Sequence, residues 1–200
     1  IYFNTANQSN NNIHGSPNPV ITYSNLQGGY SPEGDGNIDS DPRFVDAANG
    51  DYRLSDYSPA IGAGTATGAP TTDITGVPNS RPMPSGSNPD MGAYENALGT
   101  PSAPPVPTNL AATVGNTLIN LSWTGNDYAT SYSVYRSTTS GSGFTATATG
   151  ISTTSYQNTG LTNETTYYYK VSSTGAGGES DLTAEISAKP KAQKYTVKSD

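Results

Sequence analysis

Acidic and amide side chains recur at every second position in one loop, and a calcium ion can use this spacing. The four residues are Asp35, Asn37, Asp39 and Asp41. Calcium loops present oxygen ligands in this alternating way, but they normally carry Gly at the sixth position and Glu at the twelfth. Here those positions hold Ser40 and Asp46. Asp and Asn also stabilise turns by bonding to nearby backbone, so two interpretations remain: a calcium site and a turn.

Arginine could serve as the base in a proton-abstraction reaction. The first hundred residues contain three arginines and no lysine: Arg43, Arg53 and Arg81. A guanidinium is charged at any ordinary pH, so its pKa would have to fall far before it could act as a base. Ion pairing with carboxylates such as Asp46, Asp51 or Asp90 is the simpler expectation.

Other catalytic arrangements have little support in the sequence. His14 is the only histidine and the chain has no cysteine, so we expect neither a triad nor a zinc site built on them. Glycoside hydrolysis needs two carboxylates across a groove, and the spacing of the acids selects no such pair. Asp90 and Glu95 flank a short apolar run and are expected to fix the end of the first segment. We therefore assign no catalytic residue.

Tyrosine is abundant, and aromatic faces can stack on sugar rings. Fourteen of the 200 residues are Tyr. The same side chains also pack strands and loops, so both uses are open for the tyrosines that could be exposed: Tyr30, Tyr52, Tyr57, Tyr128 and Tyr135.

Composition predicts an all-β protein with two unlike halves. Charged residues are only 12% of the chain, strong helix formers are scarce, and Ser, Thr and Asn are common. Residues 1–100 hold ten acids and three bases, whereas residues 101–200 hold six of each, so the first half carries the whole net charge of −7. This charge argues against a nucleic-acid partner. No apolar run approaches the ~18 residues of a transmembrane helix.

The second half alternates apolar and polar residues with a period of two. Ile119, Leu121 and Trp123 fall on one face of a predicted strand, and Tyr167, Tyr169 and Val171 on one face of another. Clusters of turn residues separate these strands. Several short strands at this spacing predict an antiparallel sandwich.

Ordered motifs in this half resemble a fibronectin type III domain over about residues 105–190. They are Pro107-x-x-Leu110-x-Ala112, Leu121-Ser-Trp123, Tyr132-Ser-Val-Tyr-Arg136, Leu161-Thr-Asn-Glu-Thr-Thr-Tyr167 and Ser187-Ala-Lys-Pro190. The resemblance implies a seven-stranded sandwich with structural roles for Trp123 and Tyr132 in the core. It also implies that Tyr167 is a corner tyrosine whose hydroxyl bonds back to the chain.

The first half resembles the C-terminal end of a right-handed parallel β-helix of the pectate-lyase-like superfamily. Short strand patterns about 20 residues apart, at Ile1–Phe3 and Val20–Tyr23, are typical of a solenoid. Later motifs agree: Gly36 to Asp46, Gly50 to Ser55, Ser58-Pro-Ala-Ile61, Asp73-Ile-Thr-Gly76, Arg81-Pro82 and Asp90-Met-Gly-Ala-Tyr-Glu95. The resemblance implies structural roles for Arg81 and Asp90. The family pattern has Asp after Ser-Pro-Ala-Ile, but this chain has Gly62.

These patterns predict a β-helix end at 1–97, a proline-rich linker at 98–107, a fibronectin type III domain at 108–190, and a linker or further domain at 191–200. Only two coils are recognisable where a solenoid needs about three, so we expect further domains of a longer parent chain. The expected function is a non-catalytic cap and spacer of a secreted or cell-surface, polysaccharide-associated protein. There are two alternatives. The chain could be part of a polysaccharide lyase or glycoside hydrolase whose catalytic coils lie upstream, or it could be the stalk of a surface adhesin. Calcium is the only cofactor that the sequence suggests.

Overall fold

A boundary between Ser102 and Ala103 divides the chain into two units. The computed structural model describes residues 20–26, 34–76 and 80–192. The expected strand at Ile1–Phe3 lies outside these ranges, and so does His14. The boundary falls within the proline-rich segment 98–107, which is shared between the units: Ser102 N donates to Asp56 O at 2.7 Å in the first, and Pro104 is buried in the second.

The first unit contains a short hairpin. Strand β1 (Phe44–Asp46) and strand β2 (Asp51–Leu54) pair antiparallel around a 3-10 turn at Ala47–Asn49. The Asp46 side chain caps this turn by accepting from Asn49 N at 3.3 Å. Gly50 closes it with φ of 83°, a left-handed conformation that glycine adopts without steric cost. The hairpin leads into a small core of Leu54, Ala60 and Ile61, with Phe44, Met91 and Leu98 packed against it.

A parallel pairing precedes the hairpin. Asn25 and Ile38 form a parallel bridge, in which Leu26 N donates to Ile38 O at 2.8 Å and Ile38 N donates to Ser24 O at 3.0 Å. The parallel bridge at Asn25 lies two residues beyond the strand predicted at Val20–Tyr23. Tyr23 itself has a left-handed φ of 47°, which does not fit a strand. Among the described residues this is the one parallel pairing. Repeated β-helix coils stay a prediction.

Two asparagine side chains extend the parallel pairing by replacing backbone groups. Asn25 is buried, and its amide donates to Ser40 O at 2.8 Å and accepts from Ser40 N at 3.3 Å. Asn37 accepts from Ser24 N at 3.1 Å and donates to Ile21 O at 2.6 Å. These bonds satisfy backbone groups that no regular strand pairs.

The second unit is an all-β sandwich of two antiparallel sheets. One sheet has the order β3-β4-β7 and the other β10-β8-β5-β6, with the short β9 paired to the end of β8. The strands are β3 (Thr108–Gly115), β4 (Leu118–Thr124), β5 (Ser131–Ser137), β6 (Thr145–Ile151), β7 (Ser155–Thr159), β8 (Tyr167–Gly175), β9 (Gly178–Glu179) and β10 (Ile186–Ala188).

The core of the second unit lies between the two sheets. Alternate residues of β4, β5 and β8 point inward, as the period of two predicts. The buried cluster is Ile119, Leu121, Trp123, Tyr132, Val134, Leu161, Tyr167, Tyr169 and Val171. Trp123 contacts Tyr132 edge-on, with ring centroids 5.5 Å apart. The hydroxyl of Tyr167 accepts from Thr162 N at 3.1 Å.

Among the described residues, no helix has the length and apolar character needed to cross a membrane.

Candidate functional site

Aromatic and polar side chains meet on the outer surface of the five-stranded sheet. Tyr135 of β5 lies directly opposite Lys170 of β8, and directly opposite residues share a face of the sheet. Tyr168 and Ser172 fall two positions either side of Lys170, so they lie on this face as well. Tyr168 and Lys170 are half-buried, whereas Ser172 is fully buried. Their inward-pointing neighbours Tyr169 and Val171 are fully buried in the core. The strand period therefore separates core residues from a second, outward set.

Glu179 of β9 folds over this outward set. Its Oε1 accepts from the Tyr135 hydroxyl at 2.6 Å and also from the Ser172 hydroxyl. The bond from Ser172, followed by that from Tyr135, holds the pKa of Glu179 below its ordinary value. The bond to Glu179 in turn raises the pKa of Tyr135. Two donors thus fix a charged carboxylate at the surface, and we name Tyr135, Tyr168, Lys170, Ser172 and Glu179 the Glu179 face.

The cation of this face is held against an aromatic ring. Lys170 Nζ lies 4.9 Å from the centroid of the Phe144 ring, a cation–π contact. With one carboxylate and one ammonium, the named face has no excess of either charge. It offers tyrosine rings and a fixed hydrogen-bond acceptor.

Only part of this site is predicted by the sequence. Tyr135 is among the candidate stacking residues, but Glu179 and Ser172 are not. A signal was present, because the turn cluster Gly175-Ala-Gly-Gly178 predicts a tight return that carries Glu179 back along β8. Without the register of that hairpin, however, the sequence could not place Glu179 over Ser172.

A second cluster, in the first unit, joins a buried arginine to a buried carboxylate. Arg81 Nε lies 2.8 Å from Glu95 Oε1, with the side chains 11% and 0% exposed. Arg81 also donates to the backbone oxygens of Asp90 and Gly92, at 2.7 and 2.6 Å. Glu95 accepts from Asp90 N and Met83 N, at 3.0 and 3.1 Å. The cluster ties the loop 81–95 together.

The buried carboxylate of Asp90 links the same loop to neighbouring backbone. Its carboxylate accepts from Gly62 N at 2.8 Å and from Asn96 N at 2.6 Å. Gly62, at the position where the β-helix resemblance predicts Asp, therefore contributes a backbone N–H to this contact. A Cβ there would lie 2.3 Å from Gly99 O, and φ is 62°. Side chains are excluded at this position by space and by backbone conformation.

Burial makes the stability of the first unit depend on pH through Asp90. Desolvation raises the pKa of this carboxyl from 3.8 to about 6, against the opposing effect of the bonds from Asn96 and Gly62. Because the folded chain then binds the proton more tightly than the unfolded chain, Asp90 adds stability as the pH falls from about 6 to about 4. Above that window the charged, buried carboxylate carries its full desolvation cost.

Thermal unfolding of the wild type and of Asp90→Asn between these pH values tests this. Other carboxylates titrate in both proteins, so the difference between the two melting temperatures isolates Asp90. We expect the wild type to gain stability relative to the variant as the pH falls through the window. Parallel pH profiles would contradict the assignment.

The alternating residues of the acidic loop differ in their contacts and exposure. Asn37 uses its amide on backbone groups, and Asp41 accepts from Arg43 N at 2.9 Å. Asp35 and Asp39 are exposed. Within residues 20–26, 34–76 and 80–192, no group of three or more His, Cys, Asp or Glu could hold a metal ion. The calcium site stays a prediction.

The arginines of the first unit all pair with carboxylates. Arg53 pairs with Asp51 at 2.5 Å, as expected. The other two use partners that the sequence did not indicate, since Arg43 pairs with Asp41 at 3.8 Å and Arg81 pairs with Glu95.

The candidate stacking tyrosines differ in exposure. Tyr52 is 52% exposed and contacts Phe44 edge-on at 5.4 Å. Tyr57, Tyr128 and Tyr135 are half-buried, and Tyr30 lies outside the described residues. Tyr52 thus packs against one other ring of a hairpin, whereas Tyr135 belongs to a set of polar and aromatic neighbours.

Comparison with known proteins gives partial matches. No family model matches the chain. It is 37% identical over 90 residues to an amylopullulanase of Thermoanaerobacterium saccharolyticum, covering 44% of this chain and 7% of that protein. It is 38% identical over 90 residues to an amylopullulanase of Thermoanaerobacter thermohydrosulfuricus, covering 44% and 6%. The chain spans less than a tenth of these relatives, so part of it is homologous to a short region of each.

Solved structures include fibronectin type III-like neighbours. An Fn3-like protein from Clostridium thermocellum is 39% identical with a TM-score of 0.42, covering 48% of this chain and 100% of that one. A β-1,2-glucanase from Parabacteroides distasonis is 21% identical with a TM-score of 0.42, covering 54% and 15%.

Proposed function

We propose that this chain is a non-catalytic part of a secreted or cell-surface, carbohydrate-active multidomain protein. The observation that carries the proposal is the match to the two amylopullulanases, at 37% and 38% identity over 90 residues that make up 7% and 6% of them. A short region shared with much longer proteins fits an accessory module. We propose a location outside the cell because an external polysaccharide is too large to cross a membrane before it is cut.

The state of the buried carboxylates supports a non-catalytic role. Hydrolysis of a glycosidic bond needs two carboxyl groups open to a groove. Asp90 is 2% exposed and the side chain of Glu95 is 0% exposed, and both carboxylates accept from backbone N–H groups of the first unit. An arginine can act as the base of a lyase only in its neutral form, and Arg81 is paired with Glu95. These groups stabilise a loop.

At the level of domains, we propose a fibronectin type III domain at 108–190 and the end of a parallel β-helix at 1–97. The two-sheet order β3-β4-β7 and β10-β8-β5-β6 supports the first assignment. The parallel bridge at Asn25 and Ile38 supports the second. In this arrangement the β-helix end caps a solenoid, and the sandwich serves as a spacer between domains or as a binding module.

Product release from the purified chain tests the non-catalytic role. Pullulan, soluble starch and polygalacturonate are incubated with the chain, and reducing ends and unsaturated products are measured. We expect neither above the rate without protein. Product that increases with protein concentration would overturn the proposal and favour the alternative, a part of a glycoside hydrolase or polysaccharide lyase.

A further inference from the structure

We infer that the Glu179 face binds a neutral glucan chain. The inference rests on the proposed function and adds to it a binding surface and a class of ligand. Sugar rings present a C–H face that packs on aromatic side chains and hydroxyl groups that donate hydrogen bonds. The Glu179 face supplies a partner for each: the rings of Tyr135 and Tyr168, and the carboxylate of Glu179.

The carboxylate is pre-organised to accept from a ligand. The hydroxyls of Tyr135 and Ser172 both donate to Oε1, and Oε2 accepts no hydrogen bond from the described part of the chain. The lowered pKa of Glu179 keeps the group charged. Since its orientation is fixed before any ligand arrives, little side-chain freedom is lost on binding.

The strands beneath hold the two rings in place. β8 pairs with β5 on one side and β10 on the other, and the β5–β8 register runs without interruption from Ser131 to Ser137. Tyr168 lies opposite Ser137 and Tyr135 opposite Lys170. The rings therefore occupy diagonal positions on a continuous ladder, which side chains of this size can bridge.

Charge selects a neutral polymer over an acidic one. Lys170 is the one cation of the Glu179 face, and it lies over the Phe144 ring. An acidic polysaccharide would find no excess of positive charge in this half of the chain, because residues 101–200 hold six acids and six bases. A neutral glucan does not need such an excess.

Affinity electrophoresis of the full chain tests the inference, with pullulan, soluble starch or polygalacturonate dissolved in the native gel. We expect pullulan and starch to retard the protein and polygalacturonate to leave it unretarded. Glu179→Gln should weaken retardation about tenfold, because a charged acceptor is lost. Tyr168→Ala should weaken it about three- to tenfold through lost ring packing.

Tyr52→Ala is the matched control, because it removes an exposed tyrosine from the other unit. It should bind like the wild type, and Trp123 fluorescence should show that the sandwich variants remain folded. Three results would overturn the inference: no retardation by either neutral glucan, retardation by polygalacturonate alone, or undiminished retardation of both sandwich variants. Loss of binding in Tyr52→Ala alone would move the site to the first unit. The product-release assay described above tests the proposed function separately, so that its failure can be distinguished from failure of glucan binding.

Discussion

Replacing Tyr169 by alanine is expected to destabilise the second unit by about 3–5 kcal/mol, the range for truncating a large buried aromatic side chain. Tyr169 is fully buried between the sheets, and its hydroxyl donates to Asn158 Oδ1 at 2.8 Å. Alanine therefore leaves a cavity and removes a buried hydrogen bond. Trp123, the only tryptophan of the chain, lies in the same core and reports denaturant unfolding of this unit by fluorescence.

Two variants separate the contributions of cavity and hydrogen bond. Tyr169→Phe keeps the ring, and Arg136 still donates to Asn158 at 3.0 Å, so we expect a cost of only about 1 kcal/mol. Tyr168→Ala changes the adjacent residue on the outer face and should cost less than Tyr169→Ala. Equal destabilisation at positions 168 and 169 would contradict the inward and outward assignment of β8.

The sandwich core was predictable from the sequence because it follows a simple period. In β4, Ile119, Leu121 and Trp123 alternate with exposed residues, and all three are buried. Strand alternation depends on local backbone geometry alone, so it can be read without knowing which strands pair. The pairing of β5 with β8, which creates the Glu179 face, depends on distant residues and has no local signal.

The first unit was harder to predict because individual polar contacts, rather than regular strands, hold its loops in place. Arg81 and Glu95 are separated by 14 positions, and a loop brings them together without helix or strand periodicity. Asn25 and Asn37 replace backbone groups where no regular strand pairs them. The sequence shows that Asn, Asp and Arg are present, but it does not show which backbone group each one satisfies.

The largest expected effect in the first unit is that of Glu95→Ala. The substitution leaves Arg81 as a buried cation without its carboxylate, which costs about 3–5 kcal/mol for pairs of this kind. It also removes the acceptor for Asp90 N and Met83 N. Because the lost contacts all lie within one loop, local opening of residues 80–96 should precede unfolding of the unit. Hydrogen exchange with peptide-level mass spectrometry should show faster exchange in that segment.

Arg53→Ala is the matched control, because it breaks an ion pair of the same type at the surface. Arg53 and Asp51 are closer, at 2.5 Å, but their side chains are 64% and 28% exposed, so water replaces the lost partner. We expect no measurable change in exchange for this variant. If distance alone set the strength of these pairs, Arg53→Ala would have the larger effect. Burial predicts that Glu95→Ala has the larger effect. Only the buried Arg81 is left as a charge without solvent to stabilise it.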